Sequence, residues 1–197
     1  AYEESWDVVL GADANRVNGT TSNNSFGYVS PSMSGVTLHA SYYTGSTTQA
    51  SFYTDMGIKV SPEMVEGLEV GYAFGTSEAT AGTEIDESTM YVKYAVGAVT
   101  VGYQTSEYDA PTAAASNDST MWGISYAVSD SFSIAYSTSE FDIGGAAADQ
   151  ESDGISASYT MGGITVAGAM NSTDNIAGST ATTADKDAYE MSISFAF

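Results

Sequence analysis

The 197-residue sequence has no cysteine, one histidine (His39), three prolines and only four basic residues, Arg16, Lys59, Lys93 and Lys186. Without cysteine there is neither a disulfide framework nor a thiolate metal site. A single histidine excludes two-histidine metal motifs. Four cations against 25 acids, a formal charge of −21, exclude a nucleic-acid-binding face, because phosphates require lysine and arginine. The sign suits cation association instead. No run of about 18 apolar residues occurs, which excludes a transmembrane helix. The chain also opens without a leader: Glu3 and Glu4 follow Ala1 closely, so an exported protein would be present in mature or shortened form.

What the sequence does have is tyrosine (14), glycine (20) and a hydrophobic period of two. In the last nine residues Tyr189, Met191, Ile193, Phe195 and Phe197 share one face of an extended strand, and Glu190, Ser192, Ser194 and Ala196 the other. Similar runs begin at Phe26 and continue through Leu38, Ile58, Val70 and Tyr72, Val92 and Tyr94, Val101, Trp122, Ile134, Tyr159 and Val166. That makes eleven strands, each long enough to cross a bilayer at a tilt.

The faces opposite these runs are small or polar: Thr37-His39-Ser41-Tyr43, Tyr53-Asp55-Gly57-Lys59, Glu69-Gly71-Ala73, Tyr91-Lys93-Ala95 and Ser156-Ser158-Thr160. A soluble sandwich would turn lysine, glutamate and threonine outward. So many glycines, alanines and serines suggest the inside of a closed wall. A mean hydropathy near zero is compatible with this, because a barrel alternates.

Connections alternate between short (31–35, 61–67, 97–98, 129–131, 162–163) and long (45–50, 76–87, 106–118, 144–152, 172–185). Transmembrane barrels have tight turns at one end and long loops at the other. The long loops are expected to carry many of the acids as an exposed rim. Aromatics gather near strand ends, at Tyr28, Tyr42, Phe74, Tyr94, Trp122, Tyr136 and Tyr189 among others, as interfacial girdles would. The expected fold is therefore all-β, an antiparallel transmembrane β-barrel. Residues 25–197 supply the strands and 1–24 a separate segment, either a loop folded into a channel or, through Trp6, Val8 and Leu10, a twelfth strand.

The stretch 15–43, with Arg16-Val17-Asn18, Asn24-Ser25, Tyr28, Ser30-Pro31 and Gly35, resembles the general bacterial porins, in which a similar segment follows the constriction loop and opens the next strand. The C-terminal Phe197 is similar to that family's usual chain end. The resemblance implies a sixteen-stranded barrel, with these eleven strands as its sixth to sixteenth, rather than a complete twelve-stranded one. It also implies a homotrimer in the bacterial outer membrane, in contact with its lipid and lipopolysaccharide, passing small solutes and ions. An acidic constriction segment (Glu3, Glu4, Asp7, Asp13) would face a basic wall to which Lys59 and Lys93 belong.

From alternation, the expected pore lining is His39, Tyr43, Tyr53, Asp55, Lys59, Glu69, Tyr91, Lys93 and Gln104, with Arg16 as a further positive group within reach of the channel. Leu38, Val70, Tyr72, Tyr94, Trp122, Ile134, Ile193, Phe195 and Phe197 are expected to face lipid. His39 as the base of an outer-membrane hydrolase is the weaker reading, since alternation turns it to the lumen. No cofactor is expected, although Glu84, Asp86 and Glu87, or Asp149, Glu151 and Asp153, have the oxygen donors that structural Ca²⁺ or Mg²⁺ takes. Net charge predicts a preference for cations, weakened by salt screening of the loop acids.

Overall fold

The computed structural model describes residues 25–44, 52–78 and 83–196. They form one antiparallel meander in which every strand pairs with its sequence neighbour: β1 (Ser25–Val29), β2 (Val36–Thr44), β3 (Phe52–Val60), β4 (Leu68–Glu78), β5 (Glu84–Val96), β6 (Val99–Asp109), β7 (Asn117–Ser129), β8 (Phe132–Ile143), β9 (Gln150–Met161), β10 (Ile164–Asp174) and β11 (Lys186–Phe195). The eleven strands are those the period of two predicts. They make an open sheet with β1 and β11 at its edges. Among the described residues no helix is long and apolar enough to cross a membrane.

Turn chemistry fixes the short end. Val96 pairs with Val99 and Met161 with Ile164, so 97–98 and 162–163 are two-residue hairpins. Gly97 (φ 58°) and Gly162 (φ 62°) take the first central position in the left-handed region, whereas Ala98 and Gly163 do not. That is the glycine-first turn whose twist matches the flanking strands. At 129–131 the Ser129 hydroxyl accepts from the N–H groups of Ser131 (3.2 Å) and Phe132 (3.1 Å), beside a bulge between Ala127 and Ser129.

The long end differs from expectation. Strands β4 to β10 run well past their apolar stretches, so Glu78, Glu84, Asp86, Glu87, Glu107, Asp109, Asp118, Glu151, Asp153 and Asp174 are strand residues and not loop residues. A backbone ladder needs only paired N–H and C=O groups. It therefore continues where hydrophobicity, the signal used to find the strands, has stopped.

The sheet is curved, with its small residues inside. Thr100, Ser125, Ala135, Ser156, Ala169 and Glu190, from six successive strands, line one cavity of about 370 Å³. The opposite face carries the large side chains, and no described residue covers it. Leu38 is 44% exposed, Trp122 46% and Ile193 52%. In cross-strand register they form a continuous band: Leu38 with Ile58, Val70 with Val92, Tyr103 with Trp122, Tyr126 with Ile134, Val166 with Ile193. A soluble sandwich would bury this band against a second layer.

Candidate pore wall

On the inner face of β2 to β5, the strand register arranges side chains in rows across the sheet. Nearest the long-loop end, Ser41, Asp55, Gly75 and Glu87 stand side by side. Next come His39, Gly57, Ala73 and Thr89, and then Thr37, Lys59, Gly71, Tyr91 and Gln104. Glu69 and Lys93 pair nearest the short-turn end. Along the strands Asp55 and Glu87 thus stand above and both ammonium groups below, with the Glu69 carboxylate between the two lysines and the row of His39, Gly57, Ala73 and Thr89 separating the two levels.

Each group is held by its neighbours. The Ser41 hydroxyl donates to Asp55, as does that of Tyr53. Glu69 takes the Tyr91 hydroxyl at 2.9 Å and lies 3.4 Å from the Lys93 ammonium and 3.7 Å from that of Lys59. Gly71 makes this arrangement possible, because a Cβ there would collide with the Tyr91 ring, which crosses the glycine to reach Glu69. Both lysines are about half exposed, so each ion pair contributes only ~0–1 kcal/mol. Gln104 donates to the hydroxyls of Thr89 (3.3 Å) and Ser106 (3.4 Å).

The inner face therefore brings together His39, Asp55, Lys59, Glu69, Tyr91, Lys93 and Gln104. Tyr43 and Tyr53 share that face, directly opposite each other, but are buried rather than water-lined. His39 stands beside Gly57, on the inner face. Arg16, Glu3, Glu4, Asp7, Asp13 and Phe197 lie outside the described residues. The outer face carries Leu38, Val70, Tyr72, Tyr94, Trp122, Ile134, Ile193 and Phe195. Its aromatics include an edge-on Trp122–Tyr136 pair at 5.6 Å.

Alternation corrects the expected acid clusters. Glu84 and Asp86 face outward while Glu87 faces the lumen beside Asp55, and Asp149 is in a loop whereas Glu151 and Asp153 lie on β9. Among the described residues no three acids or histidines converge in an ion-holding arrangement. The outward acids form a collar above the apolar band instead, with like charges directly opposed: Glu78 and Glu84, Asp86 and Asp109, Glu107 and Asp118, Asp118 and Asp142, Glu140 and Glu151. No lysine or arginine of the described strands shares that face. Inside, among the described residues, four acids (Asp55, Glu69, Glu87, Glu190) meet three lysines (Lys59, Lys93, Lys186), so the described part of the wall is nearly neutral. The expected site lacked Glu87, Glu190 and Lys186, although extending the strand period would have found them.

A second feature escaped the sequence. The β6–β7, β8–β9 and β10–β11 connections interlock. The Gly144 N–H donates to the Ser116 carbonyl (2.9 Å), the Ala147 N–H to the Gly178 carbonyl (3.3 Å), and the Ala177 N–H to Gln150 Oε1 (3.0 Å). On the inner face at this end Phe141, Gln150 and Thr173 are almost fully buried.

A curved meander with an uncovered apolar outside and a small, polar inside is the arrangement of a membrane barrel wall. The Gram-negative porin family profile matches residues 2–197. The chain belongs to the Gram-negative porin family. That membership places the porin in the bacterial outer membrane. In fold it is similar to the anion-selective porin from Comamonas acidovorans (TM-score 0.71, 14% identity), covering 89% of this chain and 60% of that one. It is also similar to a mutant of the Rhodopseudomonas blastica porin (TM-score 0.63, 20% identity), covering 98% and 68%. The chain thus spans 60% of the Comamonas protein's length. No curated protein sequence matches it.

Proposed function

We propose that the protein forms a water-filled channel through which small hydrophilic solutes and ions diffuse without a chemical step. The observation that carries this is the two-sidedness of the sheet: apolar side chains stand uncovered outside, and glycine, serine, alanine and a few charges line the concave side. Size and fixed charge would then select solutes. The selectivity follows the lumen and not the net charge. Most acids of the described strands stand on the outer collar, and the inner wall has only one more acid than lysines, so we expect a weak cation preference. The Comamonas acidovorans porin is anion-selective. Planar-bilayer reversal potentials in a KCl gradient test the reading: conductance with slight cation preference supports it, and clear anion preference overturns the charge argument.

The porin is further proposed to be a homotrimer embedded in outer-membrane lipid and lipopolysaccharide, with divalent cations bridging the carboxylate collar to anionic headgroups. The collar's position directly above the apolar band supports this partner, and like charges directly opposed across strands cost stability unless counterions offset them. Chelation is expected to lower the thermal stability of the folded protein in lipopolysaccharide bilayers and to leave it unchanged in uncharged detergent. A second reading, a non-conducting surface barrel acting as an adhesin or receptor, draws on the interlocked loops, and complete absence of conductance would favour it.

A further inference from the structure

Resting on the channel reading, we infer that the inner wall holds a binding subsite for short zwitterionic solutes whose positive and negative ends lie about 10 Å apart, the separation found in an extended tripeptide. A recess of about 300 Å³ opens on the inner face between β2 and β5. Its floor is Gly57, Gly71 and Ala73, its long-loop end is Asp55 and its short-turn end is Lys59. The Tyr91 ring lies across Gly71, and His39 and Thr89 also line the recess, so an extended chain would lie over Gly57 and Ala73 and against the Tyr91 ring.

The two ends are fixed and opposite in sign. Asp55 is oriented by the hydroxyls of Ser41 and Tyr53, which leaves acceptor capacity toward the recess, since a carboxylate has about four lone-pair sites. Lys59 has three donors and its ion pair to Glu69 is long at 3.7 Å. The Cα atoms of Asp55 and Lys59 are about 13 Å apart, at ~3.3 Å per residue along the strand. Three extended residues span about 10 Å. Glycine, whose ammonium and carboxylate flank a single carbon, cannot bridge them. A simple cation gains only the carboxylate end, where Glu87 shares the row of Asp55, and a simple anion meets Glu69 beside the lysine. Only a solute carrying both charges at this separation uses both ends, ammonium to Asp55 and carboxylate to Lys59.

The test is triglycine binding to the detergent-folded full-length protein by calorimetry, with KCl conductance measured on the same preparations. Triglycine is expected to bind more tightly than glycine or N-acetyl-triglycine amide. Asp55→Lys and Lys59→Asp are each expected to weaken it by about fivefold or more. The double exchange restores binding in the reversed direction, which a merely structural effect of either substitution would not do. Equal binding of triglycine and its blocked form, or a double exchange no better than the singles, overturns the subsite while conductance leaves the channel reading standing. Loss of the channel reading shows separately, as wild-type protein that binds triglycine and passes no current.

Discussion

At the residue scale, Glu69 sets the charge of the wall. It stands between two ammonium groups and accepts a tyrosine hydroxyl, so its carboxylate cancels one of the two positive charges at that level. Glu69→Gln leaves both lysines uncompensated and turns the inner wall from one excess acid to balance. The reversal potential of this variant is expected to move toward anions relative to the parent; an unchanged value would mean that ions pass elsewhere. Gly71 illustrates why such detail was hidden in the sequence. The run Glu69-Gly71-Ala73 reads only as small and polar, and the need for glycine there comes from the Tyr91 ring one strand away.

At the scale of the strand, the polar extensions of β5 to β9 were the part that pattern reading missed. Asp118 on β7 faces Glu107 on β6 and Asp142 on β8. Opposed like charges destabilise a sheet by up to ~1 kcal/mol per pair, so Asp118→Asn is expected to stabilise the folded protein at low salt by about that amount. Thermal unfolding at 10 mM and about 500 mM salt checks it, because the gain should fade as the Debye length shrinks. The apolar halves of the same strands were legible because alternation, tyrosine and valine content and glycine turns agree there. The loops were not. Gly178 (φ 73°) leaves no room for a Cβ against Ala146, a constraint between two loops far apart in sequence. Gly178→Val is expected to disengage the β8–β9 and β10–β11 connections, visible as faster amide exchange at Ala147 and Ala177. Unaltered protection would show that the loops do not depend on each other.

At the scale of the whole molecule, the chain is a membrane wall and its charge is organised around that fact. The strand count and the division into two faces could be read from the period of two, and the family from the segment around Arg16 and Pro31 together with that rhythm. Where the charge goes could not be read from composition, since −21 describes the chain and not the lumen. The register resolves it by placing the acids of β5 to β9, except Glu87, on the outer collar.

The central claim is that each strand turns one face to hydrocarbon and the other to water, and a nitroxide scan of β8 tests it most directly. The sequence has no native cysteine, so single cysteines at positions 132 to 136 can be labelled in proteoliposomes. Collision with dissolved oxygen should peak at Phe132, Ile134 and Tyr136, and collision with a water-soluble nickel chelate at Ser133 and Ala135. Nickel accessibility at Ile134 with oxygen accessibility at Ala135, or no alternation at all, would contradict the account.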